Sequence, residues 1–249
     1  MMEFSAHNID LPGGERTRGM KEPLLREQGI CPAVMRTLGA AFPPSARRGV
    51  RVADLGCLEG GYTVEFARAG FDAVGIEGRE TNIAKCDYVA KKLGLPNLRF
   101  VRDDVRNLPE YGVFDAIFCC GLLYHLDKPG AFIDTLARCT RHILILQTHY
   151  AVPDRDPAGI RLSPMSVNEG MAGRWYDEWP EGASEETKEK LIWASVGNSR
   201  AFWPTKGELL EKVRSAGFGV IYEQYDFLWN IAKDPYIDLN CRSLFIAAK

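Results

Sequence analysis

Short apolar runs and helical periods alternate along the middle of the chain. Residues 50–55 read as a strand, 56–61 as a glycine-bearing loop and 62–69 as a helix stopped by Gly70. A second strand at 72–76 leads to a helix at 81–93, where Ile83, Cys86, Ala90 and Leu93 recur at helical spacing. Gly94 then supplies the C-terminal cap, with Pro96 just beyond. Strands follow at 98–102 and 114–120, the latter a continuous apolar run of the kind a sheet covered on both faces requires. A helix at 128–138 and a strand at 142–147 complete the regular part.

This alternation predicts an α/β fold: a Rossmann-like, doubly wound, mostly parallel seven-stranded sheet with right-handed crossovers. Residues 1–48 form an N-terminal leader or cap. It holds an extended run, His7 to Leu11, that enters the turn Pro12-Gly13-Gly14, and a short helix between residues 23 and 39. Residues 49–249 form the main domain. Within it, residues 150–200 show no clear period and read as a lid or substrate-binding insertion. Thr205 and Glu208 make a capping box for a helix lined by Leu209, Leu210, Val213 and Ala216. Strands at 220–225 and 242–247 close the sheet.

Composition narrows the function classes. The 249 residues carry 31 Lys and Arg against 33 Asp and Glu, a net charge of −2. A chain held on nucleic acid or an anionic membrane by bulk charge is thereby disfavoured. No apolar run reaches the ~18–20 residues of a transmembrane helix, and the first 29 residues hold no signal-peptide core. The seven cysteines form no Cys-x-x-Cys pair, so they read as reduced thiols of a cytoplasmic protein rather than zinc ligands.

The candidate chemistry sits at strand ends. Asp54, Gly56, Cys57, Gly60 and Gly61 lie where the first strand turns into its helix. Glycine lets the backbone approach a ligand there, and the helix N-terminus favours an anionic group. The spacing is neither the dinucleotide Gly-x-Gly-x-x-Gly nor a phosphate loop with its Lys-Ser/Thr. Glu77 ends the second strand about 20 residues on, as suits an acid that binds the two hydroxyls of a ribose. Asp104 with Val105 follows the third strand, suited to an adenine amino group. A loop carboxylate taken alone is ordinarily just solvated; three in order, each at a strand end, form a pattern.

On these residues, together with Phe114-Asp115-Ala116-Ile117-Phe118-Cys119-Cys120-Gly121, residues 49–147 resemble the class I S-adenosylmethionine-dependent methyltransferases. The resemblance implies that the first loop cradles the methionine part of S-adenosylmethionine. It puts Glu77, with Gly78 and Arg79, at the ribose and Asp104 with Val105 at the adenine. Cys120 and Gly121 fall beside the reactive methyl. Cys57 stands where glycine is common. Some methyltransferases of this fold use a divalent metal, but no carboxylate cluster here calls for one.

The same resemblance puts the loop Gly121-Leu122-Leu123-Tyr124-His125 on the acceptor side. His125 is a candidate general base for a hydroxyl, and His149, ending the fifth strand, is a second. The alternative for each is a packed, backbone-bonded histidine. Arg174, Trp175, Asn198 and Trp203, with Tyr124, are candidate substrate contacts, the alternative being that the aromatics only pack the insertion. The tract Asn198 to Thr205, the Leu-Tyr-His segment and the leader from His7 are similar to parts of bacterial enzymes that modify the tRNA wobble uridine.

The expected function is O-methylation of a small polar molecule, a sugar, oligosaccharide or glycoside, by in-line S_N2 displacement with a histidine base. The alternatives are a tRNA-modifying transferase and a non-enzymatic cofactor-binding scaffold.

Overall fold

The computed structural model describes residues 2–180, 182–228 and 240–249. The strands are β1 (Arg51–Leu55), β2 (Asp72–Glu77), β3 (Leu98–Arg102), β4 (Phe114–Cys120), β5 (Thr140–His149), β6 (Ser166–Asn168), β7 (Met171–Asp177), β8 (Arg200–Pro204), β9 (Val220–Glu223) and β10 (Arg242–Ala248). The helices are α1 (Ile30–Ala41), α2 (Gly61–Arg68), α3 (Glu80–Leu93), α4 (Pro129–Cys139), α5 (Glu185–Lys190) and α6 (Lys206–Ser215). Seven strands form one sheet in the order β3-β2-β1-β4-β5-β10-β9. β1, β2 and β3 pair in parallel, whereas β10 runs antiparallel to both β5 and β9. This is the expected Rossmann-like sheet.

By contact density the described residues fall into two compact units. The first runs to Phe118 and includes Asp226–Leu228; the second holds Cys119–Tyr225 and the C-terminal residues. In the first, Val52, Ala53, Leu55, Ala73 and Ile76 are buried on the strands and Val64 and Phe66 on α2. α3 buries Asn82, Cys86 and Val89, so its inner stripe runs through 82, 86 and 89 rather than through Ile83 and Ala90. Period counting could not separate the two stripes, because the buried one carries a polar residue, Asn82.

In the second unit, α4 and α6 cover the sheet with Phe132, Ile133, Leu136, Leu209 and Val213 buried. Thr205 caps α6, its side chain accepting the Glu208 amide, as its sequence signature indicates. β5 is longer than expected at both ends. The insertion is not irregular throughout: β6, β7 and β8 form a separate antiparallel sheet, with Arg174 opposite Trp203 and Asp177 opposite Arg200. Among the described residues, no helix is long and apolar enough to cross a membrane.

Candidate active site

The first unit builds the expected strand, turn and helix around the candidate cofactor loop. After β1, Gly56 (φ 65°), Leu58 (φ 54°) and Gly60 (φ 78°) take left-handed backbone, which folds the chain tightly into α2. The amides of Gly56 and Cys57 both donate to the Ile76 carbonyl, at 2.9 and 3.2 Å. A Cβ on Gly60 would meet the Phe100 ring at 2.5 Å, so glycine is required there on two counts.

Two buried acids flank the loop. Asp54 accepts the Thr63 hydroxyl at 2.6 Å. Burial pushes its carboxyl up to about 7, and the nearby Glu77 charge adds to the rise. Glu77 is 5% exposed. One of its oxygens accepts the Leu58 amide and the other the Arg79 amide, both at 2.9 Å. Burial raises its carboxyl while these bonds oppose the rise. Asn82 also bonds Glu77, and the Asn82 Oδ1 is buried with no hydrogen-bond partner among the described residues. A carboxylate beside an unpartnered acceptor suits a diol, which brings two donors, so the ribose of S-adenosylmethionine fits this corner.

Asp104 is exposed and caps a 3-10 run, accepting the Arg106 amide at 2.9 Å and pairing with its guanidinium at 2.8 Å. Val105 beside it is buried. Gly78 links Glu77 to Arg79, which is itself buried at the start of α3.

One residue of the loop was missed by sequence reasoning. Glu59 is buried and gathers the amides of Ser5, Ala6 and His7 at 2.7–3.0 Å and the Lys85 ammonium at 2.8 Å. Burial alone would raise its carboxyl, but the His7 amide, Lys85 and the other amides hold it at about 2. His7 then accepts the Gly61 amide on Nδ1 at 3.0 Å, and burial lowers its imidazole to about 4. The leader is thus fastened to the loop. The available signal was a lone acid within a glycine-rich turn with no local partner.

The second unit gathers most of the acceptor-side candidates. Gly121 (φ 69°) turns the chain after β4, its amide donating to the Gln147 carbonyl at 3.0 Å. Cys120 and Arg242 both donate to the Gln147 side chain. The Tyr124 ring lies 4.2 Å from His125, 4.5 Å from His149 and 5.7 Å from Trp203, and Arg242 sits over it at 5.3 Å.

The two histidines differ. His149 is 7% exposed, stacks on Trp203 at 4.7 Å, and donates Nδ1–H to the Asn240 carbonyl at 2.6 Å. Burial and the Arg242 charge lower it to about 3. His125 instead meets a carboxylate: its Nδ1 lies 2.9 and 3.0 Å from the two oxygens of Glu178. Glu178, also missed, is buried and accepts the Ser195 amide at 2.8 Å.

The remaining candidates brace the insertion. Asn198 donates to the carbonyls of His125 and Arg200, and the Trp203 indole donates to the Tyr124 carbonyl at 2.7 Å. Arg174 is buried, with its guanidinium on the carbonyls of Ser163, Val152, Arg155 and Leu162 and paired to Asp156. Its donors hold the chain that surrounds it. Trp175 packs against Phe202 at 5.0 Å, under Arg200. Among the described residues, no group of three or more His, Cys, Asp or Glu side chains is placed to hold a metal ion.

Residues 52–142 match the family model described as a methyltransferase domain. The crystal structure of the N-terminal domain of EvdMO1, solved in the presence of SAH and D-fucose, superposes with a TM-score of 0.67 at 25% identity, covering 95% of this chain and 88% of that one. Residues 52–142 thus carry a methyltransferase domain, in a fold shared with a domain solved with SAH. Two curated methyltransferase relatives are also similar. The tRNA U34 carboxymethyltransferase of Sulfurimonas denitrificans is 31% identical over 47% of this chain and 39% of its own. Sterol 24-C-methyltransferase ERG6 of Saccharomyces cerevisiae is 33% identical over 35% of this chain and 24% of its own. The chain thus spans about two fifths or less of the length of these curated relatives.

Proposed function

We propose that this methyltransferase methylates a hydroxyl of a small polar acceptor, a sugar or sugar-bearing molecule, with His125 as the general base. The observation that carries the assignment of the base is the contrast between the histidines. His149 is lowered to about 3 and bonded to a backbone carbonyl, which makes it a weak base. His125 is held on a buried carboxylate, the arrangement that supports an imidazole taking up a proton. Glu77, Asp54 and the loop from Gly56 to Gly61 would hold S-adenosylmethionine, which would supply an electrophilic methyl group. The acceptor's hydroxyl proton would pass to His125 as its oxygen bonds the methyl carbon, while the methyl–sulfur bond breaks and its electron pair leaves with the sulfur of S-adenosylhomocysteine. Orientation of the two reactants contributes much of the rate.

The sugar class is supported by the likeness to the EvdMO1 domain solved with D-fucose. A second reading, a tRNA acceptor, is favoured by the tRNA U34 carboxymethyltransferase relatives. One assay tests both: methyl-labelled S-adenosylmethionine is offered with D-fucose, with a polar metabolite and glycan extract, and separately with bulk tRNA. Label in the small-molecule fractions is expected. Label in tRNA alone overturns the proposal in favour of the second reading.

A further inference from the structure

We infer that Glu178 is the positioning residue of this site: it fixes His125 as the Nδ1–H tautomer and so makes Nε2 the atom that accepts the proton. The inference rests on the reading of His125 as the base and adds what sets its state. A carboxylate only accepts hydrogen bonds, and both oxygens of Glu178 converge on His125 Nδ1, at 2.9 and 3.0 Å. The hydrogen between them therefore belongs to Nδ1, and the lone pair to Nε2.

Glu178 cannot swing away freely. Its side chain is fully buried, and one oxygen also accepts the Ser195 amide at 2.8 Å. The Ser195 hydroxyl bonds the Asn198 side chain at 2.8 Å, and the Asn198 amide group donates to the His125 carbonyl at 2.9 Å. The insertion thus grips His125 at the ring and at the backbone through one connected set of bonds. Trp203 adds a third hold on the same turn, through the Tyr124 carbonyl. A segment whose only task was to exclude water would need none of this. When His125 takes the acceptor's proton on Nε2, the imidazolium forms beside the Glu178 charge, which stabilises it without itself taking a proton.

The test is the nitrogen chemical shifts of the His125 imidazole in uniformly ¹⁵N-labelled protein, assigned by their loss in His125→Gln. A single Nδ1–H tautomer is expected in the wild type. In Glu178→Leu the tautomers should mix, and transfer to D-fucose or to the fraction that takes up label should fall on the order of 100-fold, with S-adenosylhomocysteine affinity unchanged. An Nε2–H tautomer in the wild type overturns the inference. So does a folded Glu178→Leu protein that keeps both the single tautomer and the wild-type rate. Should that variant not fold, the wild-type tautomer decides alone. Undiminished transfer by His125→Gln would instead remove the general-base reading and leave the tautomer result standing.

Discussion

The loop at 56–61 and the segment 150–200 both carry candidate site residues, but they are specified in different ways. The loop is local: the strand, the turn glycines and the helix follow one another in the chain, and Glu77 lies at the end of the next strand, paired in parallel to the first. The insertion works by long-range pairing. Glu178 reaches His125 across 53 residues, and Arg174 faces Trp203 across a strand pair. A local motif can be read in order along a sequence, whereas a cross-strand clamp exists only once the register is known.

The comparison is tested most strongly at His125. His125→Gln should reduce methyl transfer by roughly 10²–10⁴-fold and leave S-adenosylhomocysteine binding intact by calorimetry. His149→Gln should cost far less, because His149 is lowered to about 3 and held by the Asn240 carbonyl. Equal losses in the two variants would remove the distinction between them.

The legibility of the two regions follows from their physics. The strands β1, β2 and β4 are readable because buried strands are nearly continuous apolar runs. The sheet β6-β7-β8 is not, since β7 buries Gly173 and Arg174 as neighbours and so breaks the alternation that marks a half-buried strand. Arg174 reads as a substrate contact by residue type, yet its guanidinium serves four backbone carbonyls. Glu59 and Glu178 pass as ordinary surface acids because nothing near them in sequence discloses a partner. Both are buried where distant donors converge on them: three amides and Lys85 at Glu59, and the Ser195 amide and His125 ring at Glu178.

At the loop, Gly60→Ala should destabilise the protein by about 3 kcal/mol, combining left-handed backbone strain with overpacking against Phe100. Urea midpoints measure it, and a loss below about 1 kcal/mol would show the loop to be looser than its packing indicates. Glu77→Ala should weaken S-adenosylhomocysteine binding by about 10- to 100-fold, the range for losing hydrogen bonds to a charged group. Calorimetric affinity within twofold of wild type would remove Glu77 from the cofactor site.

The smallest effect expected is in acid stability, where buried histidines and buried acids act in opposite directions. His7 and His149 sit at about 4 and 3 in the folded protein, below the ordinary 6.5. The unfolded chain therefore takes up their protons first, so the stability they contribute is full above pH 6.5 and is lost as pH falls toward those values. Asp54 is raised by burial to about 7 from 3.8, and Glu77 is raised too. There the folded state takes up the proton first, and stability is gained as pH falls from about 7. A tenfold difference in proton affinity between the folded and unfolded chain corresponds to about 1.4 kcal/mol, so between pH 6.5 and 5 the two histidines should cost about 3 kcal/mol and Asp54 should return about 2 kcal/mol. Asp54→Asn removes the larger compensating group and should make the same interval cost about 2 kcal/mol more than in the wild type. Urea titrations of both proteins at pH 6.5 and 5 give the difference directly. Parallel behaviour would mean that Asp54 is ionised in the fold, and the loop would then carry a second negative charge beside Glu77.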